Sequence, residues 1–113
     1  MIVRLYAGED GQSHFEDFSL PLADDRSGER PPVYETAGLR FARYPVGLRL
    51  DWHNPPRRRH VFVLAGQIEF GIGDGTVRRF GPGDMVIAED LTGQGHTARI
   101  VGDHPLLLAY VYA

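Results

Sequence analysis

The sequence predicts an all-β fold, a sandwich or a barrel. Three observations carry this. Short runs of alternating apolar and polar residues recur along the chain. Turns rich in Gly, Pro and Asp separate them. No stretch shows the 3.6-residue apolar period of an amphipathic helix. Many short strands with such punctuation pack as two faces of one β domain. At 113 residues the chain is expected to be a single domain, residues 1–113, large enough to enclose a core.

Ile2 to Ala7 sets Ile, Arg and Tyr against Val, Leu and Ala and reads as a strand. Gly8-Glu9-Asp10-Gly11 is a turn. His14 to Leu20 alternates loosely, with Phe15 and Phe18 as anchors. Pro21 to Pro32 is polar, holds adjacent prolines and reads as a surface loop. Leu39 to Tyr44 is a strand that Pro45 interrupts. Val46 to Trp52 places Val46, Leu48, Leu50 and Trp52 on one face, with Gly47, Arg49, Asp51 and His53 on the other. Trp52 is therefore expected in the core.

His60 to Leu64 is apolar on both faces, as a central strand is. Gln67 to Ile72 puts Ile68, Phe70 and Ile72 together. Asp74-Gly75 suits a hairpin turn, from which Thr76 to Phe80 returns. Gly81-Pro82-Gly83-Asp84 turns again, into the short strand Met85 to Ala88. A polar loop leads to the alternating run His96 to Val101. Gly102 to Pro105 turns, and Leu106 to Tyr112 is the last strand.

The formal net charge is -3, and all twelve basic residues are arginine. There is no basic excess to displace counterions, so general nucleic-acid affinity is not expected. Arg57-Arg58-Arg59 alone does not change that. Without cysteine, disulfides, thiolate nucleophiles and Cys-ligated metals are excluded. The N-terminal residues lack the apolar core of a signal peptide, and no run has the length of a membrane span. The expectation is a cytoplasmic protein with no membrane partner.

The stretch Gly47 to Gly66 resembles the first motif of the cupin family: a glycine, five residues, His-x-His, three or four residues, a glutamate, six residues and a glycine. Gly47, His53 and Gly66 hold their places. The second-histidine slot is Pro55 and the glutamate slot is Arg59. The second motif resembles Gly83-Asp84, the strand Met85 to Ala88, and His96, with Glu89 in a proline slot and Ile100 in the trailing asparagine slot. The resemblance spans roughly residues 40 to 112. It implies a double-stranded β-helix, or jelly-roll barrel, and a homodimer. It leaves the reaction open, since the family spans enzymes, storage proteins and sensory domains.

Carried over residue by residue, the family's metal site of three histidines and a carboxylate leaves His53 and His96. Glu89, Asp90 or Asp51 could complete a two-histidine, one-carboxylate set for Fe, Mn, Ni or Zn. Arg59 would repel a divalent ion. In the metal-free alternative, His53 and His96 are hydrogen-bonded pocket residues and Arg59 supplies the positive charge. Arg59 then either holds a carboxylate or phosphate bidentately or pairs internally with Glu89, Asp90 or Asp51. Three functions follow as expectations. The first is a small-molecule pocket with a degraded metal site, lined by His53, Arg59, His96 and Asp51. The second is a metal-dependent oxygenase or isomerase. The third is a non-catalytic β-sheet interaction module.

Overall fold

The computed structural model describes residues 1–20 and 32–113; of the polar stretch read as a surface loop, residues 21–31 lie outside the described residues. The described residues form ten strands and no helix. They are β1 (Ile2–Ala7), β2 (Ser13–Asp17), β3 (Gly38–Tyr44), β4 (Arg49–His53), β5 (Arg59–Ala65), β6 (Gln67–Gly71), β7 (Val77–Phe80), β8 (Met85–Glu89), β9 (His96–Val101) and β10 (Leu106–Tyr112). The expected alternation therefore matches strands throughout. Having no helix, the described residues include none long and apolar enough to cross a membrane.

Two sheets face each other. One runs β2-β1-β8-β5-β10-β3 and the other β4-β9-β6-β7. Pairing is antiparallel except between β1 and β8, which run parallel. Alternation sends Val3 and Leu5 of β1, Val61 and Val63 of β5, Val86 and Ala88 of β8, and Leu106 and Leu108 of β10 inward from the larger sheet. Ile68 and Phe70 of β6, Phe80 of β7, and Ala98 and Ile100 of β9 meet them from the smaller one. Burying a large apolar side chain of this kind contributes about 1.5–3 kcal/mol. Phe80 stacks against Phe70 at 5.6 Å and Phe15 at 6.5 Å, so the expected anchor Phe15 closes one end of the core.

The glycine that closes the first motif has a steric reason. Gly66 sits at φ +78°, and a Cβ there would lie 2.5 Å from the Pro105 carbonyl oxygen and 2.8 Å from Leu106 Cα. Only glycine allows β5 to turn into β6 this close to the start of β10.

The sequence reading of β4 needs one correction. Leu50 pairs with Ala98, but the next pair is His53 with His96. Two residues, Asp51 and Trp52, thus stand against one, Thr97, which is a β-bulge. The extra residue shifts the alternation by one. His53 turns inward beside Leu50, and Asp51 no longer shares its face. Trp52, expected in the core, is 42% exposed.

Candidate functional site

The bulge and the phase of β9 bring two imidazoles together inside one end of the barrel. His53 and His96 lie with ring centroids 4.5 Å apart, and the edge of Phe70 approaches His96 at 5.1 Å. From the opposite sheet, the first residue of β5 faces inward in phase with Val61. This is Arg59, whose guanidinium carbon lies 4.1 Å from the Tyr110 ring centroid. His53, Arg59, His96, Tyr44 and Tyr110 all border a cavity of about 40 Å³. That is room for about one water-sized group.

Each histidine is oriented through Nδ1. His53 Nδ1 donates to the Asp51 carbonyl oxygen at 2.7 Å. His96 Nδ1 donates to Asp90 Oδ2 at 2.6 Å, a bond buried from solvent at both ends. Ser13, the first residue of β2, donates its hydroxyl to the same oxygen at 2.7 Å. With Nδ1 protonated, the neutral form of each ring leaves Nε2 as its unprotonated nitrogen. Asp90 itself is fully buried, and its Oδ1 has no hydrogen-bond partner among the described residues. The loop that carries it is held by Asn54, whose Nδ2 donates to the carbonyls of Asp90 at 2.9 Å and Thr92 at 3.2 Å.

Arg59 makes no ion pair among the described residues, so of the two alternatives the internal pairing with Glu89, Asp90 or Asp51 is not seen. Glu89 points away from the cavity and pairs with Arg4 at 2.9 Å and Arg58 at 3.1 Å. Asp90 is engaged by His96 and Ser13. Asp51 lies on the outer face, where its Oδ1 accepts from the Trp52 amide. The buried Nε of Arg59 has no hydrogen-bond partner among the described residues. Its guanidinium instead covers the face of Tyr110, whose hydroxyl lies 3.2 Å from that of Tyr44. Burial pushes the Tyr110 phenol above its usual range, the Tyr44 contact adds to this, and the Arg59 charge opposes it.

Of the residues singled out in sequence, the structure thus gathers His53, His96, Arg59 and Asp90. It sends Glu89 and Asp51 elsewhere. Among the described residues no three His, Cys, Asp or Glu side chains are placed to share a metal ion. His96 has the outer carboxylate partner that metal-bound histidines usually have. The donor set still stops at two imidazoles, and a permanent cation stands beside them. It does not fit a resident ion of the three- or four-ligand kind. Sequence reasoning missed Ser13, Asn54, Tyr44 and Tyr110. His60 lies on the outward face of β5, as its spacing from Arg59 required, and burial lowers its pKa. His14 pairs with Asp10 at the surface and His104 is exposed.

No protein-family model and no curated protein matches the chain. Solved structures do. One is an uncharacterized conserved protein with a double-stranded β-helix domain from Klebsiella pneumoniae, 20% identical, with a TM-score of 0.52 over 80% of this chain and 82% of that one. Another is a conserved protein of unknown function from Streptococcus pyogenes, 20% identical, with a TM-score of 0.50 over 74% of this chain and 70% of that one. The two facing sheets and the first of these neighbours together give the chain a double-stranded β-helix, or jelly-roll, fold.

Proposed function

We propose that this domain binds a small molecule through a single carboxylate or phosphate group seated between Arg59, His53 and His96. One observation carries the reading. Arg59 brings a five-donor guanidinium to the cavity, yet its Nε is buried there without a hydrogen-bond partner among the described residues. A buried guanidinium donor is costly to leave unmade, and an oxyanion is the group it fits best. The cavity has room for one oxygen of that group, so the rest of the head group and the body of the ligand lie at the mouth, where His53 and Arg59 are half-buried. The chemistry available to such a site is binding and hydrogen-bond donation. His53 and His96 add positive charge when protonated at Nε2.

The test is thermal stabilisation by acetate and by inorganic phosphate, compared in the wild type, Arg59→Ala and Arg59→Lys. Stabilisation that is lost in Arg59→Ala and only partly kept in Arg59→Lys, which has the charge but not the fork, is expected. Equal stabilisation in all three proteins, or none in any, overturns the reading. Elemental analysis after loading with Fe, Mn, Ni or Zn covers the metal-dependent alternative. A stoichiometric ion that disappears in His53→Ala replaces the anion reading with a two-histidine metal site.

A further inference from the structure

A second feature lies on the outer face of the smaller sheet and does not depend on the interior site. Strand alternation puts Arg49, Arg99, Glu69 and Arg79 on that face. The registers align them in one row: Arg49 opposite Arg99, Arg99 opposite Glu69, and Glu69 opposite Arg79. The row thus holds three guanidiniums and one carboxylate, and two of the three reach it. Arg99 Nη2 lies 2.7 Å from Glu69 Oε1 and Arg79 Nη2 3.6 Å from the same oxygen. The Arg99 hydrogen bond holds the Glu69 carboxyl below its usual range. Arg49, at the end of the row, forms no ion pair among the described residues. Like charges directly opposite each other destabilise an antiparallel pair, so the Arg49–Arg99 placement works against the fold.

Beside the row the surface sinks. Thr97, Gly71 and Val77 form the next line across the sheet. Gly71 leaves its position unfilled, and a Cβ there would lie 2.6 Å from Thr97 Oγ1. The β4 bulge brings Asp51 to the far wall. The result is an open groove of about 560 Å³, against about 40 Å³ for the interior cavity. The groove has the size of small-ligand sites in general.

We infer that this groove is a second binding site, for a small organic phosphate or carboxylate. The oxyanion bridges Arg49 and Arg99, which relieves their repulsion by two charge-assisted contacts. The body of the ligand lies over Gly71, between Thr97 and Val77. Asp51 disfavours a second anionic group at the far end and accepts a hydrogen bond from a ligand donor there.

Amide NMR titration at low ionic strength tests this, with phenyl phosphate, benzoate and inorganic phosphate as probes. Saturable shifts at Arg49, Gly71, Thr97 and Arg99 are expected with phenyl phosphate or benzoate, and the probe that binds tighter names the oxyanion. Arg49→Gln should weaken that binding roughly tenfold. Glu69→Gln, which releases Arg99, should tighten it severalfold. Arg40→Gln, on the other sheet, and Arg59→Ala, in the interior, should leave it unchanged. The inference is overturned by absent saturation with both organic probes, by equal losses in Arg49→Gln and Arg40→Gln, or by failure of Glu69→Gln to tighten binding. Inorganic phosphate binding as tightly as phenyl phosphate would also overturn it, since the groove would then hold no ligand body. Arg49 and Glu69 sit on the sheet surface, and dispersed spectra of both variants would show that they fold.

Discussion

Asp90 has no exposed surface, and both side-chain bonds it makes reach other strands: Ser13 on β2 and His96 on β9. This one carboxylate fixes the ring orientation of His96 while tying the loop after β8 to two other parts of the fold. Asp90→Asn keeps the shape and removes the charge, and an amide cannot accept from both donors as well as a carboxylate does. The expected loss is about 1.5–3 kcal/mol, with Ser13→Ala closer to 1 kcal/mol, read from urea unfolding. The two losses should fall short of additive in the double variant, because they converge on one oxygen. An Asp90→Asn variant as stable as wild type would remove Asp90 from this role. Sequence spacing found His53, Arg59 and His96 because the motif places them. It could not find Ser13, which lies 77 positions from its partner and next to a histidine that looks more chemical.

At the scale of strands, the alternation rule located every element but misassigned the end of β4. A bulge is a local phase error, and nothing in Leu50-Asp51-Trp52-His53 announces that two residues will stand against Thr97. The exchange follows from it: His53 enters the barrel and Trp52 leaves it. The same junction is confined from the other side by Gly95, at φ +76°, where a Cβ would collide with the His53 carbonyl oxygen. Backbone stands in the way there, so no side-chain rotation relieves the clash. Gly95→Ala should cost more than about 2 kcal/mol and separate the two imidazoles, as the loss of ring-to-ring contacts in NMR spectra would register. Trp52→Ala should cost about 1 kcal/mol or less, well under the 3–5 kcal/mol typical of a core tryptophan. A large loss in Trp52→Ala with a small one in Gly95→Ala would mean that strict alternation, and not the bulge, describes β4 in solution.

For the whole molecule, the sequence made the number and order of strands legible but not which face of β3 turns outward. Leu39 and Phe41 carry the apolar signal in that strand. The register with β10 instead puts Ala42 and Tyr44 against the core and leaves Leu39 59% and Phe41 65% exposed. On the same outer face β5 adds Phe62 and Leu64, 37% and 48% exposed. β3 is also the last strand of the larger sheet, so one side of its backbone pairs with no other strand among the described residues. Natural sheets seldom leave an apolar edge bare, because it templates further pairing. A second copy of the chain, β3 against β3, would close both the edge and the patch in one symmetric contact. Light scattering should then give about twice the 12.6 kDa chain mass at micromolar concentration. Phe41→Arg should return the mass to that of one chain without loss of thermal stability at equal monomer concentration. A single-chain mass in the wild type across that range would show that the exposed face of β3 serves something other than self-association.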